Sequence, residues 1–209
     1  MAISYPINTP TNIGIANITL MAENAVAISQ SPFTFQQQVV AHPGQRWAAS
    51  ISLPPMKRQD AEYWVTFLLS LKGQVGTFLL GDPNCVDAQG SASSVSGTPR
   101  VNGAGQTGDT LTIDGLPLSA TGYLMAGDYI QIGSGGSAQL YKVLTQVDSD
   151  GSGEATLDIW PNLRSSPADN ALVVVSSTKG NFRLRDNITQ WNINEISSYG
   201  ITFDCVEAL

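Results

Sequence analysis

Trp47, Ala49, Ile51 and Leu53 alternate with Ala48, Ser50 and Ser52, a period of two that puts one set of side chains on a covered sheet face. Pro54-Pro55 removes ladder donors and predicts the end of that strand. Upstream, Ile13, Ile15, Ile18 and Leu20, then Val26 and Ile28, predict earlier and less regular strands, broken by Asn and Ser. From about Arg58 the period changes. Ala61, Trp64, Val65, Leu68 and Leu71 fall on one helical face, with Asp60 and Glu62 in the first turn and Lys72 in the last, as the helix dipole prefers. Gly73 is placed to supply a left-handed cap. Thr77 to Leu80 reads as a strand stopped by Gly81-Asp82-Pro83.

Beyond that stop the pattern becomes short strands between glycine-rich turns. Eleven of the 20 glycines lie between Gly90 and Gly136, beside a serine-rich stretch from Ser91 to Ser96. A disordered linker would lack alternating apolar residues, yet Leu111 and Ile113, Ile130 and Ile132, and Val143 and Val147 supply them. Leu140 to Val147, Asp148 to Glu154 and Ala155 to Trp160 predict a hairpin around a long polar turn, and Ala171 to Val175 a buried strand. After Gly180, Phe182 and Leu184, Trp191 and Ile193, and Ile201, Phe203 and Cys205 alternate with polar residues again. The expectation is a mainly β fold: a β-sandwich-like core with one principal helix, built from residues 1–81 and 178–209, and an inserted small β-barrel domain spanning 82–177. Trp47, Trp64, Leu68 and Trp191 are its predicted core residues.

Composition changes this picture in one respect. Only 13% of the 209 residues are charged, against roughly 25% in an average globular chain, so polarity rests on Ser, Thr, Asn, Gln and Gly. Such a surface can be covered by neighbouring subunits without stranding ions, which hints at oligomerisation, the alternative being a weakly charged monomer. The net charge of −7 and the scattered ten basic residues argue against specific nucleic-acid binding; an acidic wall repels DNA and suits only a passage through which it slides. No export signal or membrane span is predicted, and hence no membrane insertion. Cys85 and Cys205 have neither metal-ligand nor redox spacing and read as ordinary thiols.

Candidate chemistry is sparse. His42, the single histidine, sits in Ala41-His42-Pro43-Gly44, which reads as a turn, and no G-x-S-x-G elbow accompanies it. Asp148-Ser149-Asp150-Gly151-Ser152-Gly153-Glu154 resembles part of a calcium loop, but Ile159 stands where the bidentate glutamate belongs; a hairpin turn explains the same residues. Gly103 to Gly108 matches G-x-G-x-x-G without the strand and helix that give that pattern meaning. The four tryptophans fit core packing better than a sugar-stacking platform. Phe33 and Phe35, with Gln36 and Gln38, fit either of two roles, packing beneath the sheet or anchoring a neighbouring subunit. No catalytic, metal or cofactor residues are singled out, and the expectation is a non-enzyme.

Several strings taken together resemble a family. Ser31-Pro32-Phe33-Thr34 with Gln36-Gln37-Gln38, Trp47, Leu53-Pro54-Pro55-Met56, Ala61, Trp64, Phe67-Leu68, Leu71-Lys72-Gly73 and Gly76-Thr77-Phe78-Leu79-Leu80-Gly81-Asp82-Pro83 look like proteins encoded near the tail tip of long-tailed bacteriophages. Ala126-Gly127-Asp128-Tyr129-Ile130-Gln131 and Leu163-Arg164-Ser165-Ser166-Pro167-Ala168-Asp169 are similar to the same group. The resemblance implies a distal tail protein: a structural virion protein, assembled in the host cytoplasm, that forms a hexamer, a ring at the end of the tail tube. Its implied neighbours are the tail tube protein and the baseplate hub and fibre proteins. The rival expectations are a receptor or carbohydrate-binding tail module, a cell-wall hydrolase, and the tube subunit itself.

Overall fold

The computed structural model describes residues 3–209. It is mainly β with one principal α-helix, and its strands form two sheets. The first sheet draws on β1 (Ile7–Asn8), β2 (Asn17–Gln30), β3 (Gln37–Ser52), β4 (Met56–Lys57) and β5 (Phe78–Leu80). The second takes β6 (Arg100–Val101), β7 (Thr110–Asp114), β8 (Tyr129–Ile132), β9 (Gln139–Val143), β10 (Ala155–Trp160) and β11 (Val173–Val174). The chain then returns to the first sheet with β12 (Gly180–Leu184), β13 (Trp191–Ile193) and β14 (Ser198–Glu207).

In the first sheet the order is β1-β5-β12-β14-β3-β2, antiparallel except for the β1/β5 pair. β4 and β13 attach to the early part of β14. Helix α1 (Arg58–Ser70) covers this sheet. Ala61, Trp64, Val65, Phe67 and Leu68 are buried, and the Trp64 ring meets Phe67 edge-on at 5.7 Å and Phe203 at 6.1 Å. Asp60 occupies the first turn as predicted, whereas Lys72 falls outside the last turn. The helix stops because the chain turns left-handed at Lys72 (φ 52°) and Gly73 (φ 67°). Glycine is needed there: a Cβ on Gly73 would stand 2.8 Å from Asn187 Oδ1.

The second sheet, ordered β11-β8-β9-β10-β7-β6, is antiparallel throughout and curls until its two ends meet. Val101 N donates to Ala171 O and Val173 N to Pro99 O, both at 2.9 Å, which makes a nearly closed six-stranded barrel. Its own apolar filling includes Leu111, Ile113, Ile130, Tyr141 and Leu157. The predicted Asp148–Glu154 turn lies in the β9/β10 hairpin, where Val143 pairs with Ile159. The predicted strand Ala171–Val175 shrinks to Val173–Val174, and Leu172 is half exposed, because this piece serves as the barrel's seam.

Two of the predicted core tryptophans, Trp47 and Trp64, are buried, as is Leu68; Trp191 is not. At 39% exposure it stands on β13, a strand exposed at all three residues with β14 as its one ladder partner. Alternation reports that a strand is half covered. It does not report which strands receive the cover.

Trp47 joins the sheets. Its ring meets Trp160 edge-on at 4.5 Å and Tyr129 at 5.9 Å, and its Nε1 donates to Leu140 O at 2.9 Å. The adjacent Glu207 carboxylate accepts the Trp47 backbone N–H at 3.1 Å and the Arg164 guanidinium, in a nearly water-free pair. Removing one partner of such a pair leaves the other charged, buried and unmatched. Glu207→Ala is therefore expected to destabilise the protein by about 3 kcal/mol, read as a lowered urea midpoint, with the double variant Glu207→Ala, Arg164→Met recovering part of the loss.

Candidate functional site

The β2/β3 hairpin extends well past the body of the molecule. β14 accompanies β3 only from Ala48 to Ser52, and β2 is the last strand of its sheet. Beyond Trp47 the two strands have only each other as ladder partners; Trp160 Nε1 still donates to Asn24 Oδ1 and Asn162 N to Gln45 Oε1, but every residue from Ala25 to Gly44 is exposed apart from the partly covered Ser31. The ladder is interrupted at the base of this arm. Asn24 pairs with Gln45 and Val26 with Ala41, so that Ala25 on one strand faces His42, Pro43 and Gly44 on the other. His42 thus lies within an exposed strand and not in the predicted turn; the Pro-Gly sequence marks the irregularity without ending the strand.

Past the interruption, Val26↔Ala41, Ala27↔Val40, Ile28↔Val39, Ser29↔Gln38 and Gln30↔Gln37 pair in register. That gives about 17 Å of projecting ladder. Directly opposed residues share a face, so Val26, Ala41, Ile28 and Val39 make one apolar surface. The tip is closed by Ser31 N donating to Gln36 O and Phe35 N to Ser31 O, both at 2.9 Å. Phe33 is 92% exposed and Phe35 71%. Of their two predicted roles, packing beneath the sheet is thereby ruled out. Gln36 and Gln38 are exposed beside them.

From Asn24 through Gln45, 22 residues, there is no Asp, Glu, Lys or Arg. The boundary is marked by an ion pair, Glu23 with Arg46 at 2.6 Å. The absence of charge was visible in the sequence, but not that the segment projects from the body. Exposed strand edges are ordinarily protected by lysines or by a cover; this one has neither.

At the other end of the same hairpin is a cleft of about 380 Å3, lined by Ser52, Leu53, Gln190, Trp191, Asn192, Gly200, Ile201 and Thr202. No ionisable group lines it. Trp191 is partly exposed there, and Ile188, Ile193 and Ile196 are open to solvent nearby in sequence. Among the described residues no three His, Cys, Asp or Glu gather in a metal-binding group, and no helix is long and apolar enough to cross a membrane.

The remaining candidates have structural employment. Asp150 Oδ1 accepts the Ser152 and Glu154 amides at 2.8 and 2.9 Å, and Asp148 Oδ1 the Gly122 amide at 2.6 Å; these donors hold both carboxyls below their ordinary range. In the glycine-rich loop, Gln106 donates to Asn102 O and Thr112 O and accepts Thr112 N, and Asp169 Oδ1 accepts the Gly103 amide at 2.8 Å, so these side chains fasten the loop to its surroundings. Both cysteines are free. Burial, followed by the charge of Asp204, pushes Cys205 up to about 12; burial and Asp82 also raise Cys85, which is partly exposed.

At pH 8 a thiol reagent should label Cys85 slowly in the native protein and Cys205 only after denaturant is added; rapid native labelling of two thiols would contradict the burial. Because the folded Asp150 pKa is depressed, its contribution to the turn is complete above the unfolded value of about 3.9 and is lost as pH falls through the lower folded value. The Ser152 and Glu154 amide resonances should accordingly hold steady down to pH 4.5 and shift only in stronger acid. No family model matches the chain, and no curated protein matches it in sequence.

Proposed function

We propose that this chain is a structural subunit that forms a ring at the distal end of a bacteriophage tail tube, joining the tube to baseplate and fibre proteins and letting DNA pass. The observation that supports a subunit role is the arm: an uncharged, largely apolar ladder held in water with both edges unpaired. Leaving such a ladder bare invites pairing with any other chain. A surface of this kind is stable in use only when covered. The tail-tip assignment leans on the sequence strings quoted above, and the net charge of −7 suits a bore that DNA must traverse without adhering. On this reading the protein makes and breaks no covalent bonds.

A second reading, a receptor- or carbohydrate-binding tail module, is favoured by one observation: Trp191 lies partly open beside Gln190, Asn192 and Thr202, an aromatic face among amides and a hydroxyl. Negative-stain images and native mass spectra of the purified protein, alone and with tube protein, are expected to show closed rings of six copies. A monomer under both conditions would remove the ring reading. A glycan array with wild type and Trp191→Ala tests the second; Trp191-dependent binding would favour it.

A further inference from the structure

We infer that the cleft beside Trp191 and a second cleft beside Asp186 and Asp204 form one groove for a neutral glycan, one pyranose ring stacking on the indole and the following sugar units hydrogen-bonding to the two carboxylates. This deepens the second of the two readings above, on which it rests, by naming the charge and the length of the ligand.

The groove exists because β14 changes partners along its length. β12 pairs with it from Cys205 to Glu207 and β13 from Tyr199 to Ile201. Between them Thr202, Phe203 and Asp204 have ladder partners on β3 alone. The residues that connect β12 to β13 span this gap and enclose a cleft of about 310 Å3, lined among others by Ser50, Asp186, Thr189, Gln190 and Asp204. Gln190 and Thr202 also line the cleft of about 380 Å3 beside Trp191, so the two openings meet at these side chains. Each falls in the range of small-molecule sites, about 300 to 1,000 Å3. Ser50, Thr202 and Asp204 stand on paired strands and are in place before a ligand arrives, which lowers the ordering cost of binding.

The lining selects the class of ligand. No Lys, Arg or His lines either cleft, and Arg185, next to Asp186 in sequence, reaches Glu23 at 3.4 Å instead. Two carboxylates without a cation repel phosphates and other anions. A lipid chain would leave the amides, hydroxyls and carboxylates facing hydrocarbon without partners. A pyranose fits both halves. Its C–H face can lie on an aromatic ring, and Trp191 is the tryptophan with an open face here, Trp47 and Trp64 being buried in the core. Its hydroxyls donate to carboxylates, which are acceptors only, in charge-assisted bonds. The indole lies in one cleft and the carboxylates in the other, so a single sugar engages one set and a short chain is needed to engage both.

The test uses the full chain on an array of neutral, sialylated and phosphate-bearing glycans. The neutral chain retained most strongly is then titrated by calorimetry as its mono-, di- and trisaccharide. Wild type is expected to retain neutral chains, to bind the trisaccharide roughly tenfold more tightly than the monosaccharide, and to be indifferent to added salt. Trp191→Ala should abolish binding, whereas Trp191→Phe should keep most of it. Asp186→Ala and Asp204→Ala should each weaken the trisaccharide by roughly tenfold and leave the monosaccharide unaltered. Should a variant lose its circular-dichroism spectrum, the length and salt series on wild type decide. Binding that needs Trp191 but ignores both aspartates and chain length overturns the joined groove and leaves the second reading standing. Retention of sialylated or phosphate-bearing chains alone does the same. No retention of any glycan, or retention that Trp191→Ala does not change, removes the groove and the second reading together.

Discussion

The two sheets hold their relation through Trp47. Its ring fills the space between β3 and the barrel, its Nε1 satisfies the Leu140 carbonyl, and its backbone amide gives the Glu207 carboxylate a second donor besides Arg164. An indole is suited to this place because it brings a large apolar area and one polar atom that needs a single acceptor. The buried ion pair beside it contributes less to stability than to specificity, since apolar residues of the same volume would often serve as well energetically. What it fixes is angle: Arg164 follows the last residues of β10 and Glu207 ends β14, so their contact ties the barrel to the far end of the first sheet.

That fixed body makes the arm conspicuous. The barrel deals with its strand edges by closing on itself through residues 99–101 and 171–173. The first sheet ends on one side in a two-residue strand, β1, too short to act as a template, and on the other in the fourteen-residue β2. Unpaired backbone, apolar side chains and absence of charge coincide on the same segment. Each alone is common on protein surfaces; their coincidence on one segment sets the arm apart from the rest of the surface.

Much of the framework was legible from periodicity. The helix emerged from the spacing of Ala61, Trp64, Val65 and Leu68, and the strand at Trp47–Leu53 from its alternation, because both patterns arise within one element and depend on nothing remote. Trp191 was misjudged because alternation is a property of a strand, whereas cover is a property of the layer above it. Phe33 and Phe35 stayed open between two roles for the same reason: whether a hairpin tip folds under or projects is set by where β14 stops accompanying β3, at Ala48. The cleft could not be read at all, since Leu53, Gln190 and Thr202 are brought together by the sheet and not by sequence spacing.

The interrupted ladder at Ala25 and His42–Gly44 also bears on how far an uncovered arm can pair with another strand. A break three residues long in one strand limits how far a mistaken cross-β stack can zip towards the body, since register cannot be carried through it. Stray pairing would then be confined to the five residue pairs beyond the break, leaving the sheet of the body out of reach.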